Sequence, residues 1–539
     1  MPTTYKTPGV YVEEISVMPP SVAEVSTAIP AFIGYTEKNP SGANQPVKIA
    51  TFLEYKDLFG GPAETTYTVN ITGETVDSIE KTASKYQMYY GLDLYFKNGG
   101  GPCYIVSTGD YKEDGSVLKD DLESGLQALE KKDEPTIILF TEAVSLDPDN
   151  YYDLCNQVLT QCNKLGDRFG IFDVLDIETG VADFRQSIRN EPEYLKYGAA
   201  YTPYLLTSIT HAYSDSGVTV KNGQIAGYQT NVNGINVVYM GDEAITFTVT
   251  IATNVDSPPF AVQDKELTIN LSTDSAFPAD IKTAWDKWKK GQDTLGYEIS
   301  VAGNGSVAVN TAGTNNLDAD SVTLQGLETA NTTMYNNIIT ALSAQKVTLP
   351  PAAAIAGVYA ATDRNRGVWK APANVSLVSV TEPTKKITAE AQENLNVDTT
   401  AGKSVNAIRL FTGQGILVWG ARTLAGNDNN WRYISVRRLF NTVEESCQQS
   451  TQFAVFEPNN ANTWLKVKSM IDSYLYGLWQ QGALFGSTPE EAYFTNVGLG
   501  KTMTSQDVLE GRMIVEIGLA AVRPAEFVIL RFSHKLQES

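Results

Sequence analysis

The chain has 539 residues, 42% of them hydrophobic and 19% charged, a balance that excludes a disordered or fibrous protein. Its 62 acidic and 41 basic side chains leave a net charge of −21. That argues against nucleic acid as the main partner, since phosphate binding needs a basic surface, and suits a protein that stays dispersed at high concentration. Four cysteines (Cys103, Cys155, Cys162 and Cys447) are too few for a disulfide scaffold, and the spacing of Cys155 and Cys162 is not that of a zinc site. No metal or cofactor is expected. The first residues lack the apolar stretch of a secretory leader, and no run is long enough to span a bilayer. The sequence thus predicts folding in a cytoplasm, without membrane insertion.

Residues 1–20 read as an N-terminal β-arm. Val10 and Val12 face one way, Tyr11 and Glu13 the other, between Pro8-Gly9 and Pro19-Pro20. Prolines on both sides detach a strand from the next element, and a single strand needs a partner. Residues 21–206 read as α/β. Strands are expected at Pro30–Tyr35, Cys103–Val106, Thr136–Thr141 and Arg168–Val174, with helices at Thr51–Phe59, Tyr86–Lys97, Leu122–Glu130 and Tyr151–Asn163. Continuous apolar strands alternating with helices indicate a largely parallel, covered sheet. Gly99-Gly100-Gly101 follows a helix and precedes a strand, the reverse of a phosphate loop, so it reads as a turn.

Residues 207–348 change texture to Asn, Thr, Ser, Gly and Asp. Period-two strands run through Ile245–Ile251 and Leu267–Leu271, a hairpin is expected at Asn304-Gly305, and Ala279–Lys290 is a helix. This is a mostly-β domain inserted on the outside of the α/β core, which resumes at 349–510. There Val436, Leu439, Phe440, Val443 and Cys447 form one helical stripe, and Trp464, Val467, Ile471, Tyr474 and Leu478 another that ends at Gly482. Thr488 with Glu491 reads as a capping box.

Residues 511–539 read as a C-terminal β-arm. Met513, Val515, Ile517, Leu519 and Ala521 alternate along one strand, Pro524 ends it, and Phe527–Phe532 forms a second. A chain end this apolar needs a cover, and the reading assigns that cover to another subunit. About four apolar side chains per arm, at roughly 1.5–3 kcal/mol each, give on the order of 6–12 kcal/mol as an upper limit. A head-to-tail contact of this kind propagates as a helix.

Catalytic chemistry finds little support. The two histidines, His211 and His534, stand outside the positions where an α/β core places a general base. Gly402-Lys403-Ser404 and Gly500-Lys501-Thr502 lack the earlier glycine of a phosphate loop, since Val397 and Thr495 hold those places. The alternative readings are a vestigial hydrolase on the core and an adhesin-like binder using the β domain.

Several stretches together resemble the contractile tail sheath family of phages and phage-tail-like injection systems. They are Thr7-Pro8-Gly9-Val10-Tyr11-Val12-Glu13-Glu14, Asn98 to Tyr104, Ala356-Gly357-Val358-Tyr359 with Thr362-Asp363-Arg364, Gly367 to Asn374, Gly415 to Leu424, Trp431 to Arg438, Gly482 to Gly486, Pro489 to Ala492 and Arg523-Pro524-Ala525-Glu526-Phe527. The resemblance implies a subtilisin-like α/β core without protease activity and a helical homo-oligomer of stacked six-subunit rings. Its implied partners are an inner tube, baseplate and terminal cap proteins, with room for a second sheath paralogue. It implies synthesis in a bacterial cytoplasm and a place in a phage tail or a released particle. Neighbouring arms would interweave through Val10, Tyr11, Val12, Ile514, Val515, Ile517, Leu519, Phe527 and Ile529. A tube-facing helix would lie in 436–450 or 462–480, with Arg437 and Arg438 or Lys466 and Lys468 as its cations.

Overall fold

The computed structural model describes residues 22–531 except 73–74, 190, 222–227, 233, 240–247, 254–257, 264–265, 272–276, 293, 295, 302–312 and 317–320. A nine-stranded sheet forms the centre, in the order Pro46–Ile49, Cys103–Asp110, Pro30–Thr36, Ile137–Phe140, Phe169–Asp173, Gly198–Thr202, Val405–Phe411, Gly415–Val418 and Val375–Ser376. The six from Cys103–Asp110 to Val405–Phe411 run parallel, and antiparallel strands close both ends. The expected covered sheet is present because its strands carry apolar side chains on both faces. In Pro30–Thr36, Ala31, Ile33 and Tyr35 pack on one face with Leu122, Leu126, Leu154 and Val158. Phe32 turns to the other face, among Tyr55, Phe59, Leu92, Ile355 and Tyr359. Val405–Phe411, from beyond the insertion, pairs with Gly198–Thr202, so one sheet is built from both halves of the split core.

The helix-to-strand reading of Gly99-Gly100-Gly101 holds, and the packing explains the glycines. Gly99 has φ +90°, and a Cβ on Gly100 would lie 2.4 Å from the Tyr95 ring. A Cβ on Gly357 would lie 2.5 Å from the Tyr95 carbonyl, so helix Ala352–Arg366 crosses helix Met88–Lys97 in close contact. Asn98 then donates to the Val378 carbonyl and accepts from its N–H, tying the 367–379 segment to this corner.

The inserted β-rich part takes more chain than the boundary at 207 allows. Strands Thr66–Thr72 and Thr75–Thr82, inside the segment assigned to the core, form a hairpin that joins Val218–Lys221 and Ser321–Thr323 in one sheet. Tyr67, Val69 and Ile71 are buried there with Val218, Val220, Leu324 and Ile338. Further out, Trp285 of helix Pro278–Trp288 is fully buried, its ring 5.2 Å from that of Phe260. Of the expected strand Ile245–Ile251, the described part lies in strand Thr248–Thr253; the Asn304-Gly305 hairpin lies outside the described residues.

Candidate assembly surface

Both expected helical stripes are present. Helix Ile434–Ser450 and helix Ala461–Gln480 bury Leu439, Val443, Cys447, Val467, Ile471, Leu475 and Leu478 against each other. Asn460 caps the second helix by accepting from the N–H groups of Asn462 and Thr463, and Gly482, at φ +82°, turns the chain out of it. The capping box at Thr488 is not formed. Its side chain makes no cap bond, and Glu491 instead accepts from the N–H of Ser487. A complete box stands at Thr504 and Asp507, where the hydroxyl and N–H of Thr504 and then Arg512 hold the Asp507 carboxyl down at about 2.

The C-terminal strand, Val515–Leu519, has one partner within its own chain: it pairs antiparallel with Tyr493–Val497. The pairing continues past the strand: Phe485 donates to the Ala520 carbonyl and Val522 to the Ala483 carbonyl. Val515, Ile517 and Leu519 are half-buried on the two helices, whereas Ile514 is exposed. The local alternation predicted the strand but could not rank partners, and Tyr493–Val497 lies close in sequence, so the loop entropy of closing on it is small. The two-stranded sheet has no third strand among the described residues.

Past Pro524 the chain is pinned once and then left bare. Glu526 accepts from Arg422 Nε at 2.9 Å and Nη2 at 2.6 Å, and from Asn396 Nδ2 at 3.0 Å. The Arg422 side chain is only 4% exposed. These bonds hold the Glu526 carboxyl below the usual range in spite of its burial. Phe527, Val528, Ile529 and Leu530 follow at 70–77% exposure. The second strand expected at Phe527–Phe532 has no ladder here; residues 527–531 carry no strand pairing, and Phe532 lies outside the described residues.

Val10, Tyr11 and Val12 also lie outside the described residues. The root of their segment is fixed along helix Ile434–Ser450. Arg438 donates to the Thr27 carbonyl, Val25 N–H to Ser446 Oγ, and Ala23 N–H to Ser450 Oγ.

Arg437 and Arg438 are not surface cations. Both are buried, at 2% and 3% exposure. Arg438 makes a two-point pair with Asp363 and lies over the Tyr359 ring. Arg437 bonds Asn441 and Glu444 and sits 4.4 Å from the centre of the Trp431 ring. Polar residue type alone placed them outside; the planar guanidinium is well suited to buried pairing and stacking. Lys466 is exposed. Lys468 is half-buried, bound to Asp472 and to the Thr495 carbonyl.

The other place to look for chemistry is the carboxyl ends of the parallel strands, where open α/β sheets bind ligands. Asp173 ends one strand, and Glu142 follows another. Asp173 accepts the Ala352 N–H at the start of helix Ala352–Arg366. Glu142 accepts the N–H groups of Gln87 and Met88, at the start of helix Met88–Lys97. Burial raises Glu142 to about 7 and Asp173 to about 8. The space between Thr141, Asp173 and Ala353 is about 10 Å³, the size of a single water. His211 is bound to Thr65 in the outer region, and burial lowers it to about 4. All four cysteines are buried thiols.

Residues 426–535 match the family of phage tail sheath C-terminal domains. The tail sheath protein of Enterobacteria phage T4 is 29% identical over 139 residues, 25% of this chain and 20% of that one. The match thus spans a fifth of that curated relative. Solved structures extend the likeness to the whole chain. The sheath of an extracellular contractile injection system, PVC, in its contracted state is 27% identical, covers 99% of both chains and gives a TM-score of 0.56. The contracted helical sheath of the anti-feeding prophage is 26% identical over 99% of this chain and 100% of that one, at 0.55.

The chain is a relative of contractile tail sheath proteins. Its mixed α/β, multidomain architecture is theirs. The stretches that carried the resemblance acquire structural roles: Asp363 pairs with Arg438, Gly357 admits Tyr95, and Glu526 of the Arg523–Phe527 stretch anchors the tail. The sequence pattern singled out that stretch without assigning Glu526 a role. The signal available was a single acid, two residues after Pro524 and directly ahead of the apolar run Phe527–Leu530.

Proposed function

We propose that this chain is the structural subunit of a contractile sheath. Copies polymerise helically around an inner tube and contract to drive it through a target envelope. The observation that carries the reading is the Phe527–Leu530 tail. It is apolar and exposed, yet fixed at its root by the Glu526–Arg422 pair, as a strand offered to a neighbour would be. The full-length likeness to two contracted injection-system sheaths supports it. In this reading Phe527 and Ile529, and residues Val10, Tyr11 and Val12 of the N-terminal arm, add to the open edges of the Tyr493–Val497 and Val515–Leu519 sheet of other copies. Lys466, on the exposed side of helix Ala461–Gln480, is the cation that faces the tube, with Lys468 beside it. Baseplate and cap proteins terminate the polymer, and the particle, assembled in a bacterial cytoplasm, is an injection system in preference to a phage.

The core is read as a subtilisin-like scaffold without enzymatic activity. The filled strand ends support this, since both carboxylates there cap helices and leave no room for a substrate. Electron microscopy of the expressed chain tests the proposal. Striated tubes are expected, and a monodisperse monomer at high concentration with hydrolase activity contradicts it.

A further inference from the structure

Residues 22–28 carry no strand pairing, and side chains hold them along helix Ile434–Ser450. Arg438, Thr442, Ser446 and Ser450 stand four residues apart, on one ridge of that helix. Three of them take the segment. Arg438 donates to the Thr27 carbonyl, Ser446 Oγ accepts the Val25 N–H at 3.1 Å, and Ser450 Oγ accepts the Ala23 N–H at 3.2 Å. Thr136 closes the inner end, donating to the Thr27 carbonyl and accepting the Ile29 N–H. The adjacent ridge of the helix carries Asn441 and Glu445. Between segment and helix lies a space of about 10 Å³, lined in part by Ser26, Thr27, Asp167, Thr442 and Glu445. The segment thus covers two carboxylates that meet at one small space.

The charges around Glu445 do not balance. Asp167 and Asp133 face it as like charges, and Arg168 as the opposing one. Arg168 is already committed: it donates to the carbonyls of Leu129 and Lys132 and pairs with Asp167. On the helix itself, Arg438 is paired with Asp363, and Glu444 with Arg437. On the segment, Glu24 lies against the neighbouring helix, beside Tyr474. Burial, and then Asp167 and Asp133, raise the Glu445 carboxyl to about 7, and burial raises Asp167 as well.

We propose that residues 22–28 form a proton-controlled latch, shut on helix Ile434–Ser450 while the Glu445–Asp167 pair holds a proton and loosened once both carboxylates are ionised. With the segment lifted, water reaches Glu445 and its carboxyl returns toward the ordinary range near ~4. The shut state therefore binds the proton more tightly. Its advantage is fully present below that ordinary range and is lost as pH rises to about 7, the value in the shut state. The latch belongs to the single chain and goes beyond the sheath reading, standing whether or not copies assemble.

Hydrogen exchange on the full chain tests it, read on the Ala23 and Val25 amides and corrected for the intrinsic pH dependence of exchange. Protection should fall about tenfold or more between roughly pH 5.5 and 7.5 and then level off. Glu445→Gln keeps a polar side chain without the charge, so its protection should stay high and flat across that range. Asp167→Asn removes the like charge beside Glu445, so the fall should shrink and end at a lower pH. Protection in the native chain that does not change with pH overturns the proposal. So does a Glu445→Gln chain whose protection falls with the native slope, since a merely structural role shifts every pH alike.

Discussion

The central sheet and the C-terminal arm are both strongly apolar, and they treat that character in opposite ways. In the core, strand Pro30–Thr36 is buried along its whole length, and its polar neighbours find partners: Asp363 with Arg438, Asp173 with Ala352, Glu142 with the start of a helix. At the arm, the sheet has two strands among the described residues, and four consecutive large apolar residues stand in solvent. An exposed apolar run is a liability in a monomer. In the proposed sheath, a run placed after a fixed anchor is a coupling. On the proposed function, the contrast separates residues that make the subunit from residues that would join subunits, and each can be attacked alone.

The largest expected effect on the subunit comes from Arg438→Ala. It strands Asp363, whose side chain is 4% exposed, and should cost about 3–5 kcal/mol, read as a lowered calorimetric transition of the full chain. Unchanged melting would mean that the pair is not structural. Next is pH. The folded-state values of Glu142 and Asp173, about 7 and about 8, lie above the ordinary carboxylate range near ~4, so both favour the folded state while protonated. That stability is fully present at acid pH and is lost as pH rises through these values. Asp173→Asn keeps an acceptor for Ala352 and should flatten the fall in melting temperature between roughly pH 4 and 8. An unaltered slope would contradict the assignment. A smaller change is Gly518→Val. Its Cβ would meet the Phe494 ring at 2.2 Å, but that ring is half exposed and can swing away, so about 1 kcal/mol is expected, with a local change in strand-edge hydrogen exchange.

The division between core and arm also marks what was legible in the sequence. Core strands and helices announce themselves through local pattern. Pro30–Tyr35 is a continuous apolar run, and Thr51 caps its helix by accepting from Glu54 N–H as its position suggests. Partner choice is not local. Val515–Leu519 was legible as a strand, but its pairing with Tyr493–Val497 depends on which edge lies nearest in space. The hairpin Thr66–Thr82 went unread although Tyr67, Val69 and Ile71 alternate cleanly, and its place in the outer sheet comes from Val218–Lys221, far along the chain. Arg437 and Arg438 were misplaced because charge marks the surface unless a carboxylate or an aromatic ring is waiting inside, as Asp363 and Trp431 are. Glu526 was the converse: an acid in a tail whose base, Arg422, lies 104 positions earlier.

The central claim is that the tail is apolar for a neighbour's sake and not for the fold's. Phe527→Asp with Ile529→Asp tests it most directly, by paired calorimetry and electron microscopy. Both side chains are exposed, so melting should stay within about 0.5 kcal/mol of the native chain while striated tubes disappear. Tubes of native appearance from that variant, or a chain that no longer folds, would contradict the account.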